Sequence, residues 1–387
     1  FIICPFVAFL YSLFSLKKKT SYYIIFLFFI IYGFCFTVGN ERVEGSIDAI
    51  SVRESFEEMV QTTPSSFYSS VKDYFSFDIT SYKDIFEPTV MFIISRLTGN
   101  YHILFMVYAA LFGFITLKCL RYLTLDQSYK NTAICLLLLI FFTTNQIFNI
   151  NGFRFYFAAW IAVLCALKIL RDGEMKYWAV LMITPLVHIS FFFFVPVFIL
   201  CFVTKSFLKI WFVLFLISSL LASVLQSFLD YSFNLPPILS FMFDSYLSKD
   251  AVASYNNMIS TAAWYTRLLQ FLSQIYPSIL LVFIYFNKKL IGKANDYSLF
   301  LFCMALITVV NIVSPLSSMR RFMIICYPII AYLWINCFKA KKNNTIILLL
   351  PIFMFLPYYQ LLGNYIYFAP REVLYTNPLF LLIKNLL

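Results

Sequence analysis

Apolar runs long enough to cross a membrane recur along most of the chain. They are about 17 to 25 residues long, and a helix of about 20 residues spans a hydrocarbon core about 30 Å thick. Of the 387 residues, 62% are hydrophobic and 12% are charged, and the mean hydropathy is +0.84. Soluble globular domains have a far larger fraction of charged residues and a smaller fraction of apolar residues. The sequence therefore predicts an all-α, polytopic membrane protein.

We expect about 11 or 12 transmembrane segments in a single integral membrane domain that covers residues 1–387. The candidate spans are residues 1–16, 21–38, 102–120, 131–150, 154–170, 177–204, 207–228, 264–286, 297–315, 320–338 and 345–362. The first of these is predicted to be a span rather than a signal peptide. Two longer polar segments, 39–101 and 229–263, separate groups of spans.

Short lysine-rich connections join many of the predicted spans. They are Lys17 to Lys19, Lys118 to Lys130, Lys168 to Lys176, Lys205 to Lys209, Lys288 to Lys293 and Lys339 to Lys342. The positive-inside rule predicts that all six are cytoplasmic, which makes 39–101 and 229–263 extracytoplasmic loops. The predicted inner loops that contain these connections carry 17 of the 29 basic residues and only four acidic ones, Asp126, Asp172, Glu174 and Asp296. The net charge of +11 therefore reflects topology and does not indicate nucleic-acid binding.

The segment 177–204 decides whether this topology is consistent. A single crossing would put the lysines before and after it on opposite sides of the membrane. A broken, re-entrant helical hairpin keeps them on one side, and Pro185 and Pro196 can interrupt the helix. His188 would then lie roughly 16 Å along the hairpin, near its tip, where non-helical backbone lines a cavity or is buried in protein. The alternative is one long tilted span with a proline kink.

Four arginines are predicted in the first turn of helices that enter the membrane from outside. They are Arg154, which follows the turn Asn149 to Gly152, and Arg267, Arg320 and Arg321. A cation at a helix N-terminus opposes the helix dipole and costs a few tenths of a kcal/mol to about 1 kcal/mol. Arginine next to the free N–H groups of a helix N-terminus favours phosphate or diphosphate, so we predict such a site. The alternative is that these side chains extend to lipid headgroups.

Three residues are candidates for acid–base chemistry. His188, with Ser190 just after it, is predicted to be a general base or a partner for an anion, since imidazole titrates near neutrality. The alternative is a buried histidine that is bonded to backbone. Glu87 and Asp84 are the rival bases, although acidic residues in a long outer loop are usually solvated. His102 is predicted to lie at the membrane interface.

No metal ion or other cofactor is expected. The nine cysteines fall in or beside apolar runs and form no CxxC pair, so we interpret them as small hydrophobic residues. Neither His102 nor His188 has aspartate, glutamate or cysteine clustered around it as a zinc site would require.

The outer segments contain recognisable helices. Residues 47–60 predict a short surface helix, and Glu87-Pro88 begins a second helical run that leads to Arg96. The loop 229–263 is rich in tyrosine, asparagine, serine and phenylalanine. Such a composition suits sugar rings and equally suits an interfacial aromatic belt.

Short motifs in these segments carry a family resemblance. They are Phe86-Glu87-Pro88 before an apolar helix, Asn151-Gly152-Phe153-Arg154 at the head of a span, Leu186-Val187-His188-Ile189-Ser190, and Arg320-Arg321-Phe322. In order and spacing, from about residue 80 to 340, they resemble the EpsG family of Wzy-type polysaccharide polymerases. Phe155 stands where glutamine is common in the family, and Val187 stands where phenylalanine is common.

The resemblance implies a GT-C-like glycosyltransferase without metal ion or nucleotide sugar. It would join oligosaccharide repeat units carried on undecaprenyl diphosphate at the outer face of the bacterial inner membrane. Its expected partners are these lipid-linked oligosaccharides, membrane lipids and a chain-length regulator protein, with no nucleic acid. Arg154, Arg320 and Arg321, together with Arg267, would hold the donor diphosphate, and His188 or Glu87 would accept the proton from the acceptor hydroxyl.

Two other classes remain open at this stage. One is a flippase or other transporter for lipid-linked oligosaccharides, and the other is an O-antigen ligase or membrane acyltransferase. A transporter is expected to place charges along a pathway through both leaflets, whereas the strong polar residues here cluster on one side. A ligase shares most of the same chemistry, and only the resemblance separates it from a polymerase.

Overall fold

The computed structural model describes a large part of the chain. The described residues are 3–16, 18–36, 38, 48–76, 82, 84–124, 145–228, 261, 263–291, 294–314, 319–338, 377, 378, 380 and 383. Within them the regular structure is helical. The candidate span 345–362 and most of the loop 229–263 lie outside the described residues, and so does the candidate span 131–150 up to residue 144.

Thirteen α-helices are found in the described residues. They are α1 (Pro5–Phe14), α2 (Lys19–Phe34), α3 (Asp48–Gln61), α4 (Pro64–Phe75), α5 (Phe86–Ser95), α6 (Tyr101–Thr124), α7 (Phe153–Ala166), α8 (Tyr177–Val187), α9 (Phe191–Val203), α10 (Leu208–Phe228), α11 (Trp264–Phe286), α12 (Ala294–Ile312) and α13 (Met323–Phe338). Short 3₁₀ helices occur at Ile147–Gly152, Lys288–Leu290 and Met319–Phe322, and a π-helical turn at Leu167–Arg171 extends α7.

Four helical stretches of the described chain are long and apolar enough to cross a membrane. They are Tyr101–Thr124, Ile147–Arg171, Asn295–Ile312 and Met319–Phe338. Shorter apolar helices of 10–17 residues accompany them. The predicted all-α, polytopic membrane fold is confirmed. The expected continuation of an α-helix to residue 150 is wrong, because Ile147–Gly152 is a 3₁₀ helix. The total of 11 or 12 spans stays a prediction.

The predicted break in the segment 177–204 is confirmed. The backbone of His188 is extended (φ −151°, ψ 123°), which separates α8 from α9. The Trp178 ring lies 5.4 Å from Phe198 and 5.2 Å from Phe202, between ring centroids. In one straight helix, residues 178 and 202 would be about 36 Å apart at 1.5 Å per residue. The two helices therefore form an antiparallel hairpin whose tip is at residues 188–190, and the segment is not a single tilted span.

Helices α2 and α6 also run antiparallel. Phe36 contacts Phe105 with 5.1 Å between ring centroids, and Phe29 contacts Phe112 at 6.2 Å. The step back from Phe36, just after the end of α2, to Phe29 within α2 thus corresponds to the step forward from Phe105 to Phe112 in α6. The beginning of α2, which follows the first lysine cluster, therefore lies near the end of α6, where the second lysine-rich connection begins.

The helix ends beside all six lysine-rich connections meet at one end of the bundle. Besides the α2–α6 and α8–α9 pairs, the contacts that show this are Tyr122 with Asp172, Asn295 with the carbonyl of Arg171, Phe212 with Tyr285, and Phe283 with Trp334. This arrangement is what the positive-inside rule requires of a membrane protein. The opposite end of the bundle carries the beginnings of α6 and α7 and the tip of the hairpin.

Helix α7 lies at the centre of the bundle. It packs against α6, α8 and α13, and Trp160 and its alanine neighbours are buried on every side. The small residues Ala158, Ala159 and Ala162 allow neighbouring helices to approach closely, as is typical of membrane bundles. The position of α7 brings its first turn, which includes Arg154, to the centre of the end opposite the lysines.

Helices α3, α4 and α5 form a layer over that end. Helix α4 begins at Pro64 after the N-cap Thr63, whose side chain accepts a hydrogen bond from the Ser66 N–H. The Phe67 ring of α4 stacks on Phe92 of α5 at 4.0 Å, with an angle of 4° between the ring planes. Helix α3 packs on α5 and α6. The predicted outer helices at 47–60 and after Glu87-Pro88 are thus confirmed as α3 and α5.

Candidate active site

A pocket of about 580 Å³ opens between the α3–α5 layer and the end of the bundle. Its walls come from α3, the segment 82–91, the first turn of α7, His188 at the hairpin tip, and Arg321 just before α13. Five parts of the chain that are far apart in sequence therefore meet in one cavity. The pocket lies at the end of the bundle away from the lysine-rich connections.

Arg154 is paired with two carboxylates at the floor of this pocket. Its Nη1 is 2.9 Å from Asp84 Oδ2, and its Nε is 3.0 Å from Glu87 Oε2. The Asp84 and Glu87 side chains are 1% and 9% exposed, whereas the Arg154 side chain is 37% exposed. The two carboxylates are buried while the arginine is partly exposed, so water screens the attraction only from the side of the cavity. The arginine therefore pairs with two carboxylates beside the cavity.

Aromatic rings and one backbone bond hold these groups in place. The Phe153 ring stacks on Tyr108 of α6 at 4.1 Å, with 3° between the planes, and this contact orients the first turn of α7. The Phe86 ring lies 5.6 Å from Phe157 on the same helix. The Ile85 N–H donates to the carbonyl of Leu186 at 3.3 Å, which ties the carboxylate segment to the end of α8.

Glu87 has the ionisation of a group poised near neutral pH. Burial raises the pKa of its carboxyl to about 7, and the nearby Asp84 and Asp48 carboxylates also raise it. Arg154 opposes these effects by favouring the charged form. A carboxylate with a pKa near the working pH is a suitable general base, because it is ionised when it accepts a proton and can hold that proton afterwards.

His188 is anchored through one ring nitrogen. Its Nδ1 accepts a hydrogen bond from the Ser190 N–H at 3.2 Å and lies 2.7 Å from Ser190 Oγ. A backbone N–H can only donate, so Nδ1 carries the lone pair and the neutral ring carries its proton on Nε2. The ring meets Phe155 edge to face at 5.4 Å. The nitrogen that remains for a ligand is therefore a hydrogen-bond donor.

Arg321 reaches the pocket across the same phenylalanine. Its guanidinium carbon lies 4.6 Å from the centre of the Phe155 ring, within the range of a cation–π interaction. The Phe155 ring thus contacts both Arg321 and His188. Phe155 occupies the position where glutamine is common in the motif, and here it serves as an apolar platform for two pocket residues.

The structure brings together some of the predicted site residues and separates others. Arg154, Glu87, His188 and Arg321 line the pocket, and so does the rival base Asp84. Arg320 is half-buried and Arg267 is exposed in the first turn of α11, and neither is among the described residues that line the pocket. Roles for these two arginines in holding a diphosphate stay predictions.

Asn151 and Gly152 have a docking role that the sequence did not reveal. Asn151 Oδ1 accepts a hydrogen bond at 2.9 Å from the N–H of Ala49, in the first turn of α3. Gly152 is closely surrounded, since an added Cβ would lie 3.1 Å from the Tyr156 ring and 3.4 Å from Asp48 Oδ2, so these side chains would have to shift by a few tenths of an ångström. The sequence shows the Asn-Gly pair as a turn and as part of a family motif, without a partner elsewhere in the chain. Its contact with a helix about 100 residues earlier leaves no signal in the local sequence.

Arg96 performs the corresponding function at the other end of α3. Its Nη2 donates to the carbonyl oxygens of Met59 at 2.8 Å and Val60 at 3.1 Å. These carbonyls lie in the last turn of α3, where a cation also interacts favourably with the helix dipole. Both ends of α3 are therefore bonded to side chains of the elements that form the pocket.

The fold and the site define a polytopic helical membrane protein with a charged pocket at the end away from its lysine-rich connections. The sequence model of the EpsG family matches residues 61–371 of the chain. The chain belongs to the EpsG family, whose members are Wzy-like polymerases. Membership indicates a polysaccharide-polymerase type of role and a glycosyltransferase-like activity. No curated protein and no solved structure matches the chain.

Proposed function

We propose that the protein polymerises oligosaccharide repeat units carried on undecaprenyl diphosphate, at the outer face of a bacterial inner membrane. The observation that carries this proposal is the pocket, in which Arg154, Arg321 and His188 lie beside a carboxylate whose pKa is near 7. Its position away from the lysine-rich connections supports an extracytoplasmic site under the positive-inside rule. The products would be an O-antigen, exopolysaccharide or capsule chain.

In this proposal, the donor diphosphate binds between Arg321 and His188. Arg321 supplies a positive charge, and Nε2–H of His188 supplies a hydrogen bond to a phosphate oxygen. Arg154 adds to the positive electrostatic potential at this position, although Asp84 and Glu87 partly neutralise its charge. These groups stabilise the negative charge that grows on the diphosphate as its bond to the sugar breaks. The reaction then needs no metal ion, because fixed cations meet the charge of the leaving group.

Glu87 acts as the general base. The acceptor hydroxyl oxygen attacks the anomeric carbon of the donor sugar, and a new carbon–oxygen bond forms. The bond from that carbon to the diphosphate oxygen breaks, and the diphosphate leaves with the electron pair. The hydroxyl proton passes to the Glu87 carboxylate. His188 is the less suitable base, because its Nδ1 already accepts a bond from Ser190 and its Nε2 already carries a proton.

The test uses the purified protein and undecaprenyl-diphosphate-linked oligosaccharide extracted from cells that lack this gene. Wild-type protein is expected to give a ladder of products on a gel, and Arg154→Ala and His188→Ala are expected to give none. A single transfer step without a ladder would indicate a ligase. Absence of any product, with transport of the lipid across vesicles, would indicate a transporter.

The neighbouring pair Arg320 and Arg321 provides a matched comparison within one turn. Arg321 lines the pocket and Arg320 does not. Arg321→Ala is therefore expected to reduce polymer formation by about 100-fold or more, the usual effect of removing one group that stabilises a transition-state charge. Arg320→Ala is expected to reduce it much less. Equal effects of the two changes would contradict the assignment of the diphosphate to this pocket.

A further inference from the structure

We propose that the side of α3 that faces the pocket is the wall against which the sugars of the substrate bind. We infer further that these sugars are uncharged or carry an amino group rather than a carboxylate. The inference rests on the proposed function, since it assigns a place to the sugar part of the lipid-linked substrate. It concerns helix α3 of the outer segment, which begins with Asp48 beside the charged residues described above and runs away from them.

The pocket extends along the whole length of α3. Five of its lining residues follow one another at intervals of three and four positions, which places them on a single face of a helix. They are Asp48, Ser51, Ser55 and Glu58 of α3, together with Thr62, which directly follows its last residue. From the first to the last, the stripe is about 21 Å long at 1.5 Å per residue. A cavity of this length accommodates an extended chain of sugars beside the diphosphate.

The chemistry of this stripe differs from that of the pocket floor. It offers hydroxyl groups and carboxylates, which exchange hydrogen bonds with sugar hydroxyls. The arginine of α3, Arg53, points away from the stripe: its Nη1 lies 3.4 Å from the carbonyl of Val38. Among the described lining residues, the arginines are Arg154 and Arg321, both at the floor. A diphosphate is thus favoured at the floor and disfavoured along α3.

Apolar groups on the same wall suit the hydrocarbon faces of sugar rings. Val52 and Met59 of α3 line the pocket between the polar residues, and Tyr82 lines it from the facing segment. A sugar ring presents C–H groups on its faces and hydroxyls at its edge, so alternating apolar and hydroxyl groups match it. Away from the floor, an acidic sugar would meet Glu58, and the described residues that line this wall from α3 include no basic side chain, which disfavours such a sugar.

The wall is also held firmly enough to select a ligand. Asn151 bonds to the first turn of α3 and Arg96 bonds to its last turn. The Phe56 side chain in the middle of the helix is fully buried on the opposite face. Binding therefore requires little ordering of this helix, and a fixed wall discriminates better between ligands than a mobile one.

The experiment measures the affinities of two ligands for protein in lipid nanodiscs. One ligand is undecaprenyl diphosphate without sugar, and the other is the undecaprenyl-diphosphate-linked oligosaccharide extracted from cells that lack this gene. The variant is Ser55→Leu, which places a bulky apolar group at the centre of the stripe. The control is Gln61→Leu, which places the same apolar side chain at an exposed position of α3 that does not line the pocket.

Ser55→Leu is expected to weaken binding of the sugar-bearing lipid about tenfold, while binding of the bare diphosphate changes less than twofold. Gln61→Leu is expected to change neither affinity. Equal weakening of both ligands by Ser55→Leu, or of neither, overturns the inference. If Ser55→Leu lowers the melting temperature, the smaller changes Ser55→Ala and Glu58→Gln take its place, with an expected loss of about threefold for the sugar-bearing lipid alone.

Failure of the proposed function has a different signature. Wild-type protein that binds neither ligand contradicts the proposed function and this inference together. Wild-type protein that binds both, with variants that do not separate them, contradicts only the inference. Mass spectrometry of the extracted oligosaccharide tests the charge assignment, because a repeat unit rich in uronic or other acidic sugars would overturn it.

Discussion

The two ends of α7 each carry an arginine, and the arginines have opposite surroundings. Arg154 at the first turn is 37% exposed, faces a cavity and shares two carboxylates. Arg171, in the π-helical turn that extends α7, has a side chain that is 8% exposed, and its Nε lies 3.1 Å from Oδ1 of Asp296, whose side chain is 5% exposed. The rings of Tyr122 and Tyr332 lie 5.0 and 5.1 Å from its guanidinium carbon.

The difference separates a site from a structural pair. At the Arg171 end, each partner is surrounded: the Tyr332 hydroxyl donates to Asp296 at 3.2 Å, and the Asn295 amide donates to the Arg171 carbonyl at 2.6 Å. A buried pair of this kind joins α6, α7, α12 and α13. At the Arg154 end, the arginine is only partly covered and the neighbouring Glu87 has a raised pKa. A partly exposed cation beside a titratable base can act on a ligand, whereas an enclosed pair cannot.

The largest expected effect is at the site end. Glu87→Gln removes the proposed base and should lower the polymerisation rate by about 10² to 10⁴-fold, the usual contribution of general base catalysis. Because the base acts in its ionised form, the wild-type rate should rise with pH through about 7, the pKa of Glu87. This rise should be absent in the residual activity of the variant. The measurement is the initial rate of ladder formation from pH 5.5 to 8.5.

Glu57→Gln is the matched control for that experiment, since Glu57 lies on α3 with its side chain 59% exposed. Its rate and pH profile should equal those of the wild-type protein. A Glu87→Gln variant that keeps the rise through neutral pH would transfer the role of base to another group.

At the other end, Arg171→Ala should destabilise the protein without a direct effect on chemistry. Removing one partner of a buried pair leaves an uncompensated charge and typically costs about 3–5 kcal/mol. The measurement is thermal unfolding in detergent. The double change Arg171→Met with Asp296→Leu should recover much of the loss, because it removes both charges and keeps apolar packing. Equal stability of the single and double variants would show that the charge pair is not the cause.

The smallest expected effect concerns the contact between α3 and α7. Asn151→Ala removes the hydrogen-bond acceptor for the Ala49 N–H and should cost about 1 kcal/mol, the usual value for a lost helix cap. Asn151→Asp keeps an acceptor and should retain most of the stability. Because α3 forms the proposed sugar wall, Asn151→Ala should raise KM for the sugar-bearing lipid more than it lowers kcat. A change confined to kcat would show that Asn151 acts on the chemistry instead.

Some of the pocket residues could be predicted from the sequence, because the features that mark them depend only on neighbouring residues in the chain. Arg154 and His188 stood out because polar residues in apolar runs are costly unless they face a cavity or a partner. Glu87 was recognised because it begins a helix in the outer segment. The pairing of Arg154 with Asp84 could not be predicted, since the two residues are 70 positions apart and only the packing of α5 on the bundle brings them together.

The separation of Arg320 from Arg321 has a simple geometric origin. Both lie in the 3₁₀ helix Met319–Phe322, in which successive side chains are about 120° apart. Only one of two neighbours can therefore point into a given cavity. From the sequence, the two arginines could not be distinguished. It shows that they are adjacent, but it does not show the direction of either side chain.

By itself, the sequence determined that this chain is an all-helical membrane protein, and it favoured a hairpin in 177–204 and basic connections that lie together. These features depend on run length, proline and charge, which are local properties. Only the tertiary structure decided which arginine faces a ligand cavity and which is enclosed. That choice depends on the burial and the partners of each side chain, and both arise from contacts between helices that are distant in the chain.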